Sequence, residues 1–271
     1  MELRERALQA LATVEPAGKA ALARQLHADA PGLAIAPHAP SPGARALPGR
    51  PARPPLVHPA KVPRRSPFKP EGLAALLHAI AHIEFNAINL ALDAAWRFDG
   101  MPPGFHLDWV RVAAEEAYHF GLLAAHLERL GHAYGDFDAH DNLWSMCEKT
   151  QDDVLARMAL VPRTLEARGL DATPQIQQKL RQVGTPFALE AVAILDIILR
   201  DEVGHVAIGN HWYRWLCERE GLDPLAQYPL LVQRYCAPRL YPPFNEEARR
   251  RAGFTPQELD WLAGEAAGPA A

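Results

Sequence analysis

Residues 115–131 read EEAYHFGLLAAHLERLG, and their spacing decides how the rest of the chain is read. Val112, Glu116, His119, Leu123 and Leu127 recur at steps of three and four, which is one face of an amphipathic helix. That face is apolar except at Glu116-x-x-His119, where two ionisable groups stand one turn apart on the same side. The arrangement recurs in RDEVGHVAIGNHW (200–212). There Leu195, Leu199, Glu202, Val206 and Gly209 form the stripe, and Glu202-x-x-His205 interrupts it. A third stripe, Leu73, Leu77, Ile80, Glu84, Ala87 and Ala91, carries a single glutamate and runs into AHIEFNAINLALDAAWRF (81–98).

A carboxylate in such a stripe loses its hydration, at a cost of several kcal/mol unless it is compensated. Lys and Arg are absent from the three stripes at the same level. Divalent cations answer the charge: two of them balance four carboxylates, and neutral histidines add ligands without adding charge. Bundle-core di-iron sites use a Glu from each of two helices and Glu-x-x-His from each of the other two. Glu84 fills one single-Glu role. The other falls to the helix between the two pairs, where Glu148 and Glu166 are the candidates. Leu155, Ala159, Pro162 and Glu166 step by four, three and four, which puts Glu166 on a stripe, although near the helix end.

Working outward, the period predicts helices over about Glu71–Phe98, Leu107–Leu130, Leu143–Arg168 and Pro186–Glu220. Gly131 and Gly169 act as stops. Pro162 should kink or split the third helix. Thr173-Pro174 reads as an N-cap with proline at the first helical position, and Gly184-Thr185-Pro186 as a second restart. Shorter helices are expected near 225–235, 245–252 and 256–264, the last opened by the capping-box pattern Thr255-Pro-Gln-Glu258. No strand-period segment of useful length is present. The fold class is therefore all-α: a four-helix bundle over 71–220 with a C-terminal helical extension over 221–271.

Ahead of the bundle, residues 1–30 read as a short helical hairpin turning near Pro16 and Gly18. Residues 31–70 hold 12 of the 25 prolines and seven Lys or Arg, with no Asp or Glu. Such a stretch is extended chain, either a linker or an arm laid on the bundle. Leu56, Val57, Val62 and Phe68 are the residues expected to dock it. Its charge faces solvent, an internal partner or an RNA.

The net charge of −4 and pI of about 6.3 give no reason to expect non-specific nucleic-acid or membrane binding by the whole chain. The N-terminus is charged throughout, unlike a signal peptide. The most apolar stretch, Pro186–Leu199, is too short to span a bilayer and carries Glu190 and Asp196. Cys147, Cys217 and Cys236 are far apart and read as reduced buried thiols. A soluble cytoplasmic protein, monomeric or a small homo-oligomer, is expected.

Together with LEARGLD (165–171), the three helical stretches resemble a ferritin-like family of bacterial proteins without an assigned function. The resemblance covers roughly residues 45–220. The four-part pattern is also similar to that of the tRNA isopentenyladenosine hydroxylase family of di-iron monooxygenases, whose helices carry Glu, E-E-x-x-H-F, E-A-R and E-x-x-H. The resemblance implies metal ligands at Glu84, Glu116, His119, Glu166, Glu202 and His205, and decides for Glu166 over Glu148. It implies two iron ions (manganese or a mixed pair accept the same ligands) and an oxidase or hydroxylase using O₂ or peroxide. RNA as a substrate follows by analogy alone; the electron donor is unknown. The arm, the Gly-Leu-Asp after Glu-Ala-Arg and the C-terminal helices depart from the hydroxylase pattern. The alternatives are iron storage, peroxide scavenging, and a helical scaffold that metal merely stabilises.

Other residues have plainer expectations. Asp201 competes with Glu202 as a ligand, since it also reaches His205. His82 is a packing or surface histidine, and Tyr118 and Tyr213 are core or interface tyrosines. Asp93, Glu190 and Asp196 bridge helices or pair with Arg97, Arg168 or Arg200.

Overall fold

Acidic side chains and prolines open most of the helices. Glu2 caps α1 (Leu3–Ala12), its carboxylate accepting from the backbone N–H groups of Arg4 at 2.8 Å and Glu5 at 2.6 Å. Glu15 caps α2 (Pro16–Asp29) in the same way. Proline at the first position, where no helical N–H partner is needed, starts α2, α3 (Pro70–Arg97) and α4 (Pro103–Arg129). The chain continues through α5 (Asn142–Lys149), α6 (Val154–Leu160), a π-helical turn at Val161–Glu166, α7 (Ala167–Val183) and α8 (Pro186–Glu220). It closes with α9 (Pro224–Arg234), α10 (Glu246–Arg251) and α11 (Pro256–Ala267). This structure is a computed structural model and describes residues 2–267. Among the described residues there is no strand, only one parallel bridge between Leu56 and Ala139. The protein is all-helical.

The described residues form two compact units: residues 2–144 with 183–194, and residues 145–182 with 195–267. In the first, α3 packs along α4, α1 lies on α3, and α2 lies on α4. The N-terminal hairpin is part of this core: Leu3, Leu8, Leu11 and Leu26 are buried, and so is Arg4. Arg4 donates to the carbonyls of Trp96 and Ala36 and pairs with Asp99 at 2.6 Å. The apolar α3 is long enough to cross a membrane, and it displaces Pro186–Leu199 as the most apolar helix. However, 78% of its apolar window is buried inside the protein, as for a core helix.

Residues 31–70 form an arm docked on this unit, by means other than the expected apolar side chains. Leu56 and Phe68 are exposed; Pro48, Gly49, Pro54 and Pro67 are buried. Backbone bonds fix the arm: Gly49 N–H to Leu11 O (2.9 Å), Val57 N–H to Ala139 O (2.8 Å) and Ala139 N–H to Pro55 O (3.0 Å). At Gly49 the approach to α1 is so close that a Cβ would stand 2.2 Å from Ala12 O. Arg45 pairs with Glu5, Arg50 with Asp141 and Arg65 with Glu71.

The second unit departs most from the expected helix over Leu143–Arg168. A break at 150–153 separates α5 from α6, and at Pro162 the chain passes through a π-helical turn. Proline cannot donate the helical i→i−4 bond. The widened turn accommodates it, and the Thr164 hydroxyl takes up the Ala159 carbonyl at 2.8 Å. Nor does the helix stop at Gly169 or restart at Pro174: α7 runs through both. The carbonyl that Pro174 leaves unserved, Leu170 O, is met by the side chain of Asn245 at 3.1 Å, and Arg249 pairs with Asp171 at 2.6 Å. The C-terminal extension thus completes α7. Ala167, Leu170, Val203, Val206, Ala252 and Phe254 form the core beneath it. The Thr255–Glu258 capping box forms in both directions, at 2.7 and 3.3 Å.

Gly209 on α8 admits the π-helical turn. A Cβ there would lie 2.6 Å from both Cβ and Cγ of Pro162, and the rigid ring cannot swing aside. We expect Gly209→Ala to destabilise the protein by about 2 kcal/mol through overpacking, measured by urea unfolding. Gly204→Ala, with nothing within 4 Å of its Cβ, is expected to be neutral or mildly stabilising.

Candidate metal centre

In the first unit the stripes of α3 and α4 meet. Glu84, Glu116 and His119 are all buried. His119 Nδ1 lies 3.2 Å from Glu84 Oε2 and 3.5 Å from Glu116 Oε2. A ligand atom from each of the three falls within 4.8 Å of the others. An ion bonded at roughly 2.1 Å holds neighbouring ligand atoms about 3.0 Å apart at right angles and about 3.4 Å apart at tetrahedral angles. The two observed separations fit such a polyhedron. Burial lowers the His119 pKa, but the hydrogen bonds and charge of Glu116 and Glu84 outweigh it and raise the pKa to about 11. The pocket therefore favours a cation strongly, and the three residues form a group able to hold a metal ion.

In the second unit the other pair sits on α8. Glu202 and His205 are buried on one face, Oε1 to Nδ1 at 3.7 Å. Asp201 is turned aside, its carboxylate accepting from the Arg200 guanidinium at 2.8 and 3.1 Å. Glu166 ends the π-helical turn and is buried, whereas Glu148 is exposed on α5.

Of the remaining residues, Asp93 is buried and pairs with Arg97 at 2.6 Å. Glu190 pairs with Arg129 at 2.7 Å, and Asp196 accepts from Gln177. Tyr118 is exposed, and Tyr213 is a core tyrosine donating to Pro224 O at 2.7 Å. His82 is buried, with Nδ1 2.9 Å from the Tyr134 hydroxyl; burial lowers its pKa to about 4. Cys147 and Cys217 are buried thiols, whereas Cys236 is exposed, contrary to expectation.

The family described as "Protein of unknown function (DUF455)" matches residues 12–260. The chain belongs to this family. A relative from Haemophilus influenzae, described as an uncharacterized protein, is 55% identical over 219 residues, covering 78% of this chain and 75% of the relative. No solved structure matches the chain. The DUF455 match spans both Glu-x-x-His pairs, Glu84 and Glu166, and it includes α2, the arm and most of the C-terminal extension.

Lys19 is a buried group that the sequence reading missed. It donates to Leu11 O at 3.0 Å, to Gly49 O at 2.7 Å and to Asn89 Oδ1. Only its neighbourhood of small residues, KAALA, hints that the stem is enclosed.

Proposed function

We propose that this DUF455 protein is a ferritin-like dimetal carboxylate protein that activates O₂ to oxidise an organic substrate. In this reading Glu84, Glu116 and His119 join Glu166, Glu202 and His205 in one centre, with iron the favoured metal. The geometry of Glu84, Glu116 and His119 is the observation that carries it: two carboxylate oxygens converge on one imidazole nitrogen in a buried site, at separations an ion can span. The oxygen-rich donor set with imidazole suits iron and manganese alike. Bound iron would supply the electrons and the coordination sites for O₂.

The protein's part is to hold these ligands away from bulk water. The i,i+3 spacing puts each Glu/His pair on one side of a rigid helix. Helical turns widened to π geometry recur at functional sites, and Glu166 ends such a turn. RNA is no part of the proposal: three of the arm's basic groups are engaged by Glu5, Asp141 and Glu71. The three free thiols accord with a reducing cytoplasm.

The test is metal analysis of protein purified from its own host, followed by optical spectra of the reduced form on exposure to O₂. About two iron ions per chain and a rapid spectral change are expected. A metal-loaded protein inert to O₂ and peroxide would leave the scaffold reading in its place. Two manganese ions would reassign the metal while keeping the ligands.

A further inference from the structure

A cavity of about 220 Å³ lies in the first unit between the arm and α3, away from the three convergent ligands in its lining. Arg50 and Pro54 wall it from the arm, Phe85 and Asn89 from α3, and Tyr134 from the loop after α4. It is larger than the single-water voids of ordinary cores.

Asn89 is 1% exposed, and the orientation of its amide is fixed by Lys19. The Lys19 ammonium, the form held below about pH 7, has only donors and meets three acceptors: two backbone carbonyls and Asn89 Oδ1. The amide oxygen must therefore face Lys19, which leaves Nδ2 on the other side. Nδ2 has no hydrogen-bond partner among the described residues. A buried N–H donor without an acceptor is costly and calls for one. The neighbouring polar groups differ: Asn86 Nδ2 donates to His82 O at 3.1 Å, and the Tyr134 hydroxyl is engaged by His82 Nδ1. Arg50 brings positive charge to this wall, and its field lowers the pKa of Lys19, His82 and Tyr134 alongside larger burial effects. Among the described residues it pairs with Asp141 at 2.7 Å, through one of its two terminal nitrogens. Pro54, Phe85 and the Tyr134 ring make the remaining wall apolar.

We infer that this cavity binds a small organic carboxylate with a compact apolar body. The carboxylate accepts from Asn89 Nδ2 and faces Arg50, and the body packs against Pro54 and Phe85. The site is separate from the proposed metal centre and stands whether or not that centre holds iron.

The probe is benzoate, titrated into the full-length protein by calorimetry, with neutral benzamide as control. Saturable 1:1 binding of benzoate is expected, at least tenfold tighter than benzamide. Asn89→Leu removes the donor and fills the space. Arg50→Gln removes the charge from a partly exposed position where the fold should tolerate it. Each is expected to weaken benzoate at least tenfold while far-UV circular dichroism stays unchanged. Should Asn89→Leu fail to fold, Arg50→Gln decides. Absent saturable binding, equal affinity for benzamide, or undiminished affinity in a folded variant would each overturn the inference. Undiminished affinity would include benzoate bound at the metal ligands instead.

Discussion

Protein carrying Glu116→Ala is expected to emerge from purification with its metal content down to background, from about two ions per chain in the parent. Glu116 is fully buried beside His119 Nδ1, in a group whose members are all buried. His205→Ala is expected to do the same from the second unit, because the proposed centre needs both Glu-x-x-His pairs. Asp201→Ala and Glu148→Ala serve as controls. The first carboxylate is engaged by Arg200 and the second is exposed, so both proteins should keep their metal. Stability gives a second readout. A metal at a thousand times its dissociation constant stabilises the folded state by about 4 kcal/mol, or roughly 10 °C in a protein of this size. That increment should vanish with a chelator in the parent and be missing throughout in Glu116→Ala. Stoichiometric metal retained by folded Glu116→Ala and His205→Ala would sink the dimetal reading.

The sequence made three of the four expected long helices legible, α3, α4 and α8, because they obey one rule, a stripe of apolar residues at helical spacing. The expected Pro186–Glu220 and Glu71–Phe98 agree with α8 and α3 to within a residue. The rule failed where a residue's effect depended on a distant partner. Pro174 reads as a helix start because its missing N–H strands a carbonyl, and nothing local reveals that Asn245 will serve it. Pro162 reads as a kink, but Gly209 makes room for its ring and a π-helical turn follows. The arm docks through backbone groups, buried prolines and three arginine ion pairs, and of its expected apolar anchors Val57 and Val62 are half-buried while Leu56 and Phe68 are exposed.

For the candidate site the divide is similar. Glu84, Glu116, His119, Glu202 and His205 could be named from the stripes, since a carboxylate in an apolar stripe is anomalous wherever the helix packs. Glu166 could not be separated from Glu148 by spacing, and its burial is a property of the folded unit. Lys19 left almost no trace, because its environment is assembled from α1, the arm and α3.

Lys19 should make the protein more stable as pH rises through neutrality, opposite to what an exposed ion pair would do. Burial, with a smaller contribution from Arg50, lowers its pKa from 10.5 to about 7. Between these values the unfolded chain holds a proton that the folded chain has released. The unfolded state thus binds more protons, and the unfolding free energy climbs with pH, by up to about 1.4 kcal/mol per pH unit. Urea unfolding at pH 7.0 and 8.5 is expected to show the parent gaining about 1.5 kcal/mol relative to Lys19→Met. His119, raised to about 11 by Glu116 and Glu84, acts in the same window with the opposite sign, so the Lys19 contribution is read as the difference between the parent and Lys19→Met. His78 and His82, lowered to about 4, act only on the acid side, and Tyr134, its pKa raised by burial, remains protonated throughout. Lys19→Met should also be less stable at every pH by about 2 kcal/mol, since the carbonyls of Leu11 and Gly49 and the Asn89 amide lose their shared donor. An unchanged slope in that variant would show that Lys19 keeps its charge in the core. The three acceptors would then outweigh the desolvation that burial imposes.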